Sequence, residues 1–412
     1  MRSNQSMSIR FSRITRRGLS FYLPIVLLTV WIMPGVGQAQ TFSVVYSFRG
    51  APDGATPYSG VIADNAGNLY GTTNVGGKYG WGTVYKVDSS GRETVLHSFA
   101  GAEHNGHDGL YPWSGVVMDG SDNFYGTTYE GGTGSCYLGC GTVYELSAAG
   151  KIKILHSFQN APDGAWPYFG SLVRGSSGSL YGTTNYGGAS GILGTIFKVD
   201  STGKESVIYS FNANQGGAYP FGGLIADQSG NLYGTAQIGG QYNSGTVYRL
   251  NPAGKLTTLH SFDGGGFNGN KDGGDPEDTL VRDAKGNIYG TTLFGGTYYY
   301  YGAIFKINSK GAETLVHSFT GGSDGANPYA GLALDAQGNL YGTASAGGTY
   351  GQGVVFKLNP AGKLTTLHEF TGGHDGGVPL GGTLWLSPKD GSLYGTASAG
   401  GKGKGVVFRI KP

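Results

Sequence analysis

The chain is short of charge, of cysteine and of helical periodicity, and each shortage removes a class of protein. Only 13% of its 412 residues are charged, and basic residues exceed acidic ones by 28 − 26 = 2. A nucleic-acid binder needs a basic stripe to displace phosphate counterions, so that class is excluded. Two Cys are too few for a disulfide framework or for an all-Cys zinc site. Beyond residue 40, apolar residues nowhere recur at the period of about 3.6 that marks an amphipathic helix. Helix-dependent phosphate sites go with it: Gly76-Gly77 and its copies join two strand-like runs, and no helix N-terminus follows them. No Gly-x-Ser-x-Gly elbow stands between a strand and a helix.

Long apolar runs are absent except at the start. Leu19 to Met33 is apolar, interrupted by Pro24, preceded by Arg2, Arg10, Arg13, Arg16 and Arg17, and followed by Gly37-Gln38-Ala39. That order reads as a signal peptide over residues 1–39, with Gln40 opening the mature chain. The run falls short of the roughly 20 residues of a membrane span, and uncleaved anchoring is the competing reading. Thr15 to Leu19 loosely resembles a twin-arginine signal, but Leu19 stands where Phe is usual, which favours an ordinary secretory signal. Without these five Arg the net charge is 2 − 5 = −3. The expectation is a bacterial protein, secreted or periplasmic, monomeric, with no membrane span in the mature chain. In such a compartment Cys136 and Cys140 are expected to form a disulfide pinning one loop, contributing about 2 kcal/mol.

What the chain has in abundance is glycine, 80 residues of it, placed periodically. A Tyr-Gly-Thr core starts at Tyr70, Tyr125, Tyr181, Tyr233, Tyr289, Tyr341 and Tyr394, at intervals of 55, 56, 52, 56, 52 and 53 residues. Such a period marks a solenoid, a propeller or an array. Within the first module, Ser59–Asp64, Asn68–Thr73, Thr83–Val87 and Glu93–Phe99 are strand-like, and Gly, Asn, Asp and Ser fill the turns between them. Four strands in each of seven modules, with no helix between, predict an all-β seven-bladed β-propeller over residues 40–412. Leu69 and Tyr70 point to opposite faces and both are large, as a sheet covered on both faces requires. Gly71 is read as a place where a neighbouring backbone comes close.

The two ends supply the closure. Thr41 to Phe48 matches the fourth strand of other modules, such as Thr314 to Phe319, whereas the chain stops after a third strand, Val406 to Ile410. Pairing residues 41–48 with the C-terminal blade closes the ring and leaves no open edge.

The pattern Asp-Gly-x-x-Pro, then Gly-Leu-x-x-Asp-x-x-Gly-Asn-Leu-Tyr-Gly-Thr, then Gly-Gly-x-x-Gly-x-Gly-Thr-Val-Phe resembles the bacterial GloVer-type tandem repeat. Asp324 to Phe370 fits it nearly throughout, and the resemblance covers residues 42–410. It implies an exported repeat protein and brings no general activity, and this chain shows no obvious C-terminal anchor of the kind the family carries. The Asp-x-x-Gly-Asn turn is similar, more weakly, to that of NHL-type propellers.

In a four-stranded meander the second-to-third loops and the blade crossovers share one face. These are the long, variable segments, so departures from the repeat on that face are the functional candidates. Trp81, Trp113, Trp166, Tyr299, Tyr300 and Tyr350 are aromatic candidates for stacking on a glycan, with ordinary packing as the competing reading. The residue after the crossover Pro is Tyr58, Trp113, Tyr168, Phe221, Glu277, Tyr329 and Leu380 in turn, a series read as repeated packing except for Glu277. Glu277 with Asp275 or Asp278 could supply the paired carboxylates of a glycosidase. His97, His156, His260, His317 and His368 share one position with Tyr46 and Tyr209, which argues for structure over a metal or catalytic ring. His104 and His107 lack a clear third ligand. Asp64 and its copies, and Asp53 and its copies, read as turn formers. No cofactor is implied. The sequence thus points to a binding or scaffold module for glycan or another extracellular macromolecule. A propeller hydrolase or lyase and a purely structural surface protein are the alternatives.

Overall fold

The computed structural model describes residues 40–412 except 102–106, 190, 214–215, 265–271 and 299. The expected signal peptide, His104 and Tyr299 lie outside the described residues. Seven four-stranded antiparallel sheets follow one another, numbered here as blades one to seven in chain order, and no helix occurs among the described residues. Blade one runs Ile62–Ala63, Leu69–Thr73, Thr83–Val87 and Glu93–Ser98, from the innermost strand outwards. The ring closes as expected. Thr41–Ser47 pairs antiparallel with Val406–Lys411, from Thr41 opposite Lys411 to Ser47 opposite Val406, with a bulge between Val44 and Tyr46.

Each residue of the repeated hexapeptide has a physical task, seen in Gly338 to Thr343. Gly338 takes φ +84°, which a turn needs and a side chain resists. Asn339 donates its backbone and side-chain N–H groups to the Asp335 carboxylate, at 2.8 and 2.7 Å. Leu340 is buried between blades, and the Tyr341 hydroxyl donates to Asp335 at 3.0 Å. The Asp is therefore a turn former, as read, and it also tethers the tyrosine. Partial burial raises the Asp335 pKa, but these bonds outweigh it and hold the carboxyl below its usual range. At Gly342 a Cβ would come within 2.6 Å of the Phe356 ring, and at Gly71 within 2.6 Å of the Tyr85 hydroxyl. The close approach is thus to a third-strand aromatic ring and not to a neighbouring backbone, which corrects the reading of Gly71. The next Thr ties blades together near the axis: Thr72 donates to the Ser114 carbonyl at 2.8 Å and Thr396 to the Ser59 carbonyl at 2.7 Å.

Blade-to-blade cores hold the ring. The last Phe of each outer strand packs edge-on against the third-strand aromatic of the next blade, at 5.0–5.3 Å between centroids in all seven pairs, from Phe48–Tyr85 to Phe370–Phe408. Both rings are fully buried, so each contact removes a large apolar area from water. Phe48, carried by the N-terminal strand, makes this contact with blade one and so joins the first blade to the last.

Candidate functional site

The crossovers build one face of the propeller by a device repeated in every blade. The residue before the crossover Pro is left-handed throughout: Thr56, Tyr111, Trp166, Tyr219, Asp275, Asn327 and Val378 have φ of 52–56°. A following proline disfavours the right-handed helical region, and a β-branched residue with positive φ is unusual, so outside contacts must hold these positions. They do. Each N–H donates to a carbonyl in the second-to-third loop of the preceding blade, at 2.8–3.1 Å. Each carbonyl accepts the N–H of the residue just after the Tyr-Gly-Thr strand, at 3.0–3.2 Å. The proline that follows packs on a glycine of the preceding blade, as Pro112 does on Gly82.

This latch sets three positions per blade side by side at one face. The inner rank is the series after the proline, from Tyr58 to Leu380. The middle rank is the left-handed series. The outer rank is Asn74, Tyr129, Asn185, Gln237, Leu293, Ser345 and Ser398. The inner rank does more than pack within each blade. Tyr58 meets Trp113 of blade two at 5.9 Å between ring centroids and Phe169 of blade three at 6.3 Å, so the contacts reach past the neighbouring blade. Trp113 meets Tyr168 at 4.3 Å and stacks on Tyr129 at 4.9 Å, and Tyr168 meets Phe221 at 4.6 Å. Trp166 continues the arc between Tyr129 and Tyr186. All are half-buried, which makes an aromatic mouth and not a sealed core.

Acids occupy the mouth at blade five. Glu277 accepts a bond from Gln237 Nε2 at 2.7 Å and is 9% exposed. Burial first, then the Asp275 and Asp278 charges, push its carboxyl up to about 7 against that bond. Burial likewise raises Asp275, and raises Asp278 to about 7 even though Asp278 accepts the Thr279 N–H. The Tyr168 phenol is raised chiefly by burial, then by Tyr129 and by Glu277. Four polar atoms of the three ranks are buried without a partner: Trp113 Nε1, Trp166 Nε1, Asn185 Nδ2 and Asn74 Oδ1.

The rim of the same face is apolar. The exposed large apolar side chains among the described residues are Tyr137, Ile192, Tyr242, Tyr298, Tyr300, Tyr301 and Tyr350, and every one stands in a second-to-third loop. Of the sequence candidates, the structure brings Trp113, Trp166 and Glu277 into the mouth and puts Tyr300 and Tyr350 on the rim. Trp81 stands one step back, edge-on to Tyr111 at 5.4 Å and packed in a blade core. Sequence reasoning missed Tyr58, Tyr129, Tyr168, Phe169, Gln237 and Tyr329 as site residues. The signal was present in the series after the crossover Pro, but adjacency between blades is not written in one module. Cys136 and Cys140 form the expected disulfide, and the Cys140 carbonyl accepts the Trp166 N–H at 2.8 Å, so the bridge stiffens the loop that latches the mouth.

The repeated histidines pair with the crossover aspartates at 2.8–3.1 Å: His97–Asp108, His156–Asp163, His260–Asp272, His317–Asp324 and His368–Asp375. Tyr46 makes the equivalent bond to Asp53 at 2.8 Å. Each of these Asp also accepts a backbone N–H at the start of its crossover, as Asp163 does from Gln159. The pairs therefore fasten crossovers to outer strands. Among the described residues one group could hold a cation, His156, Asp163 and Glu205, whose ligand atoms lie within 4.8 Å of one another. It offers three ligands where structural zinc takes four.

No helix among the described residues is long and apolar enough to cross a membrane. No curated protein matches the chain. Among solved structures, the extracellular domain of a one-component system from B. thetaiotaomicron is similar at a TM-score of 0.57 and 12% identity, over 90% of this chain and 39% of that one. The present chain thus spans well under half of that protein's length. The extracellular domain of a hybrid two-component system from the same organism gives a TM-score of 0.56 at 12% identity, over 90% and 39% of the two chains. A protein described as a 6-phosphogluconolactonase from Bacteroides uniformis gives 0.52 at 15% identity, over 80% and 88%. At such identities the likeness is one of fold. The sequence model of the Gloeobacter/Verrucomicrobia repeat matches residues 29–216, 103–270 and 265–412, so the chain belongs to that repeat family.

Proposed function

We propose that this protein is an exported binding module that recognises glycan through the crossover face. One observation carries the reading: the exposed large apolar residues stand in the loops of the same face that holds the aromatic mouth. A concentration of exposed apolar side chains on one face marks an interaction site. Half-buried rings suit sugar C–H faces, and the unpartnered indole and amide groups suit hydroxyls. The test is a glycan array probed with the purified protein. Binding to a defined glycan that falls at least tenfold in Trp113→Ala supports the reading. No bound glycan, with no partner lost in Trp113→Ala, removes it.

A second reading, hydrolysis, is favoured by one fact, that burial and Asp275 push Glu277 up to about 7, where a carboxyl can act as an acid near neutral pH. Reducing ends released from an array hit by the parent protein and not by Glu277→Gln would establish it.

A further inference from the structure

The charge pattern of the mouth narrows the ligand, and this step rests on the binding reading above. The three ranks hold 3 × 7 = 21 side chains; none is Lys, Arg or His, and two are acids, Asp275 and Glu277. Asp278, buried in the bend just after Glu277, adds a third carboxyl. A phosphosugar or a uronic acid would enter such a site with its charge unpaired and beside buried acids, which costs several kcal/mol. A cation meets the opposite situation. The ring faces of Tyr58, Trp113, Tyr168, Phe169, Phe221 and Tyr329 carry negative π density, and a carboxylate among aromatic faces is an arrangement that holds organic ammonium groups.

A metal ion fits less well. Asp278 is turned to the Thr279 N–H and Glu277 to Gln237 Nε2, so their oxygens do not converge on one point, and aromatic rings offer a hard cation no ligand. Trp113 Nε1, Trp166 Nε1, Asn185 Nδ2 and Asn74 Oδ1 are buried just beneath this face without partners, three donors and one acceptor, a set matched by a ligand that accepts several hydrogen bonds and donates at least one. A hydroxylated ring bearing an ammonium group satisfies all three conditions at once. We infer that the mouth binds a non-acetylated amino sugar, its ammonium against Glu277 and its ring face on the aromatic arc.

The experiment is calorimetric titration of the protein with a glucosamine hexamer, an N-acetylglucosamine hexamer, a galacturonate hexamer and choline. Parallel titrations use Glu277→Gln and Asp275→Asn. The glucosamine oligomer is expected to bind at least tenfold more tightly than its acetylated counterpart, and the galacturonate oligomer not at all. Glu277→Gln, close in shape to the parent, is expected to abolish that preference. Asp275→Asn is expected to reduce the preference. Equal affinity for the two hexamers, or a preference that survives both substitutions, overturns the ammonium inference and leaves glycan recognition standing. Choline binding without any oligosaccharide overturns the amino sugar. Tight galacturonate binding overturns the charge argument altogether.

Discussion

Tyr85, Tyr144 and Tyr248 are fully buried, and their hydroxyls have no hydrogen-bond partner. The same position is Phe197, Phe305, Phe356 and Phe408 in the other blades, so the ring suffices there. Tyr85→Phe is expected to raise stability by about 1 kcal/mol, since it removes a desolvated hydroxyl and keeps the packing. Urea denaturation measures it, and a loss of similar size would show a bond this geometry lacks. Gly71→Ala should act the other way. Its Cβ would meet the Tyr85 hydroxyl at 2.6 Å and the ring carbon beneath at 2.8 Å, overpacking that costs about 1–3 kcal/mol. Combined with Tyr85→Phe the loss should shrink, because the nearest atom is gone. The sequence showed that this glycine mattered and not what presses on it. A strand's own text names its residues, while the ring above Gly71 comes from the third strand, in register Gly71 opposite Tyr85.

At the scale of strands, the second residue of the outermost strands, or their first, alternates in character round the ring: Phe42, Glu93, Ile152, Glu205, Leu256, Glu313, Leu364. Several meet the His or Tyr of the preceding blade: Phe42 stacks on His368 at 3.6 Å, Glu205 lies beside His156, and Leu256 packs in one cluster with Tyr209. Where the residue is Glu, one carboxylate oxygen is buried without a partner. Burial pushes Glu93, Glu205 and Glu313 to about 7, helped by the charge of Asp53 at the first and of Asp163 at the second. The folded state therefore holds more protons than the unfolded chain between about pH 4.5 and 7, so stability falls as pH rises through that window. Thermal melting should be higher at pH 5.5 than at pH 8, and the difference should shrink in a triple Glu→Gln variant. Identical melting curves at the two pH values would sink the idea. Glu205→Leu, which copies Leu256 and Leu364, should stabilise at pH 8 by about 1 kcal/mol, because a hydrocarbon replaces a carboxylate facing Asp163. None of this was legible in one module. The alternation was visible in the sequence, but its meaning depends on which blade lies alongside. The same holds for the repeated His and Asp, which read separately as packing and turns and prove to be partners.

For the whole molecule, the period and the matching ends were enough to give the blade count and the closure, because seven copies of one pattern leave few topologies that cover every sheet edge. The mouth was legible only in part. Glu277 stood out by breaking a series, and Trp113 and Trp166 as loop aromatics, whereas Tyr58, Tyr168 and Phe221 looked like packing, because their contacts between blades depend on the ring. Deleting residues 41–48 should lower the melting temperature more than deleting the tyrosine loop segment 298–301. It removes a whole strand, the Phe42 stack on His368 and the buried contact of Phe48 with Tyr85. Phe48→Ala alone should cost about 3–5 kcal/mol. Equal melting of the two deletions would show that the seam does not hold the ring. That seam also dictates an order of events. During synthesis Thr41–Ser47 is made well before its partner Val406–Lys411. Until the final strand arrives, the first strand has no sheet to join and the Phe48 ring stays in water. A chain stalled before residue 406 would offer one orphan strand and one unpaired edge, complementary to those of any other stalled copy. Exchange of that strand between molecules is then the characteristic misassembly of this fold, and pairing with Val406–Lys411 is the step that prevents it.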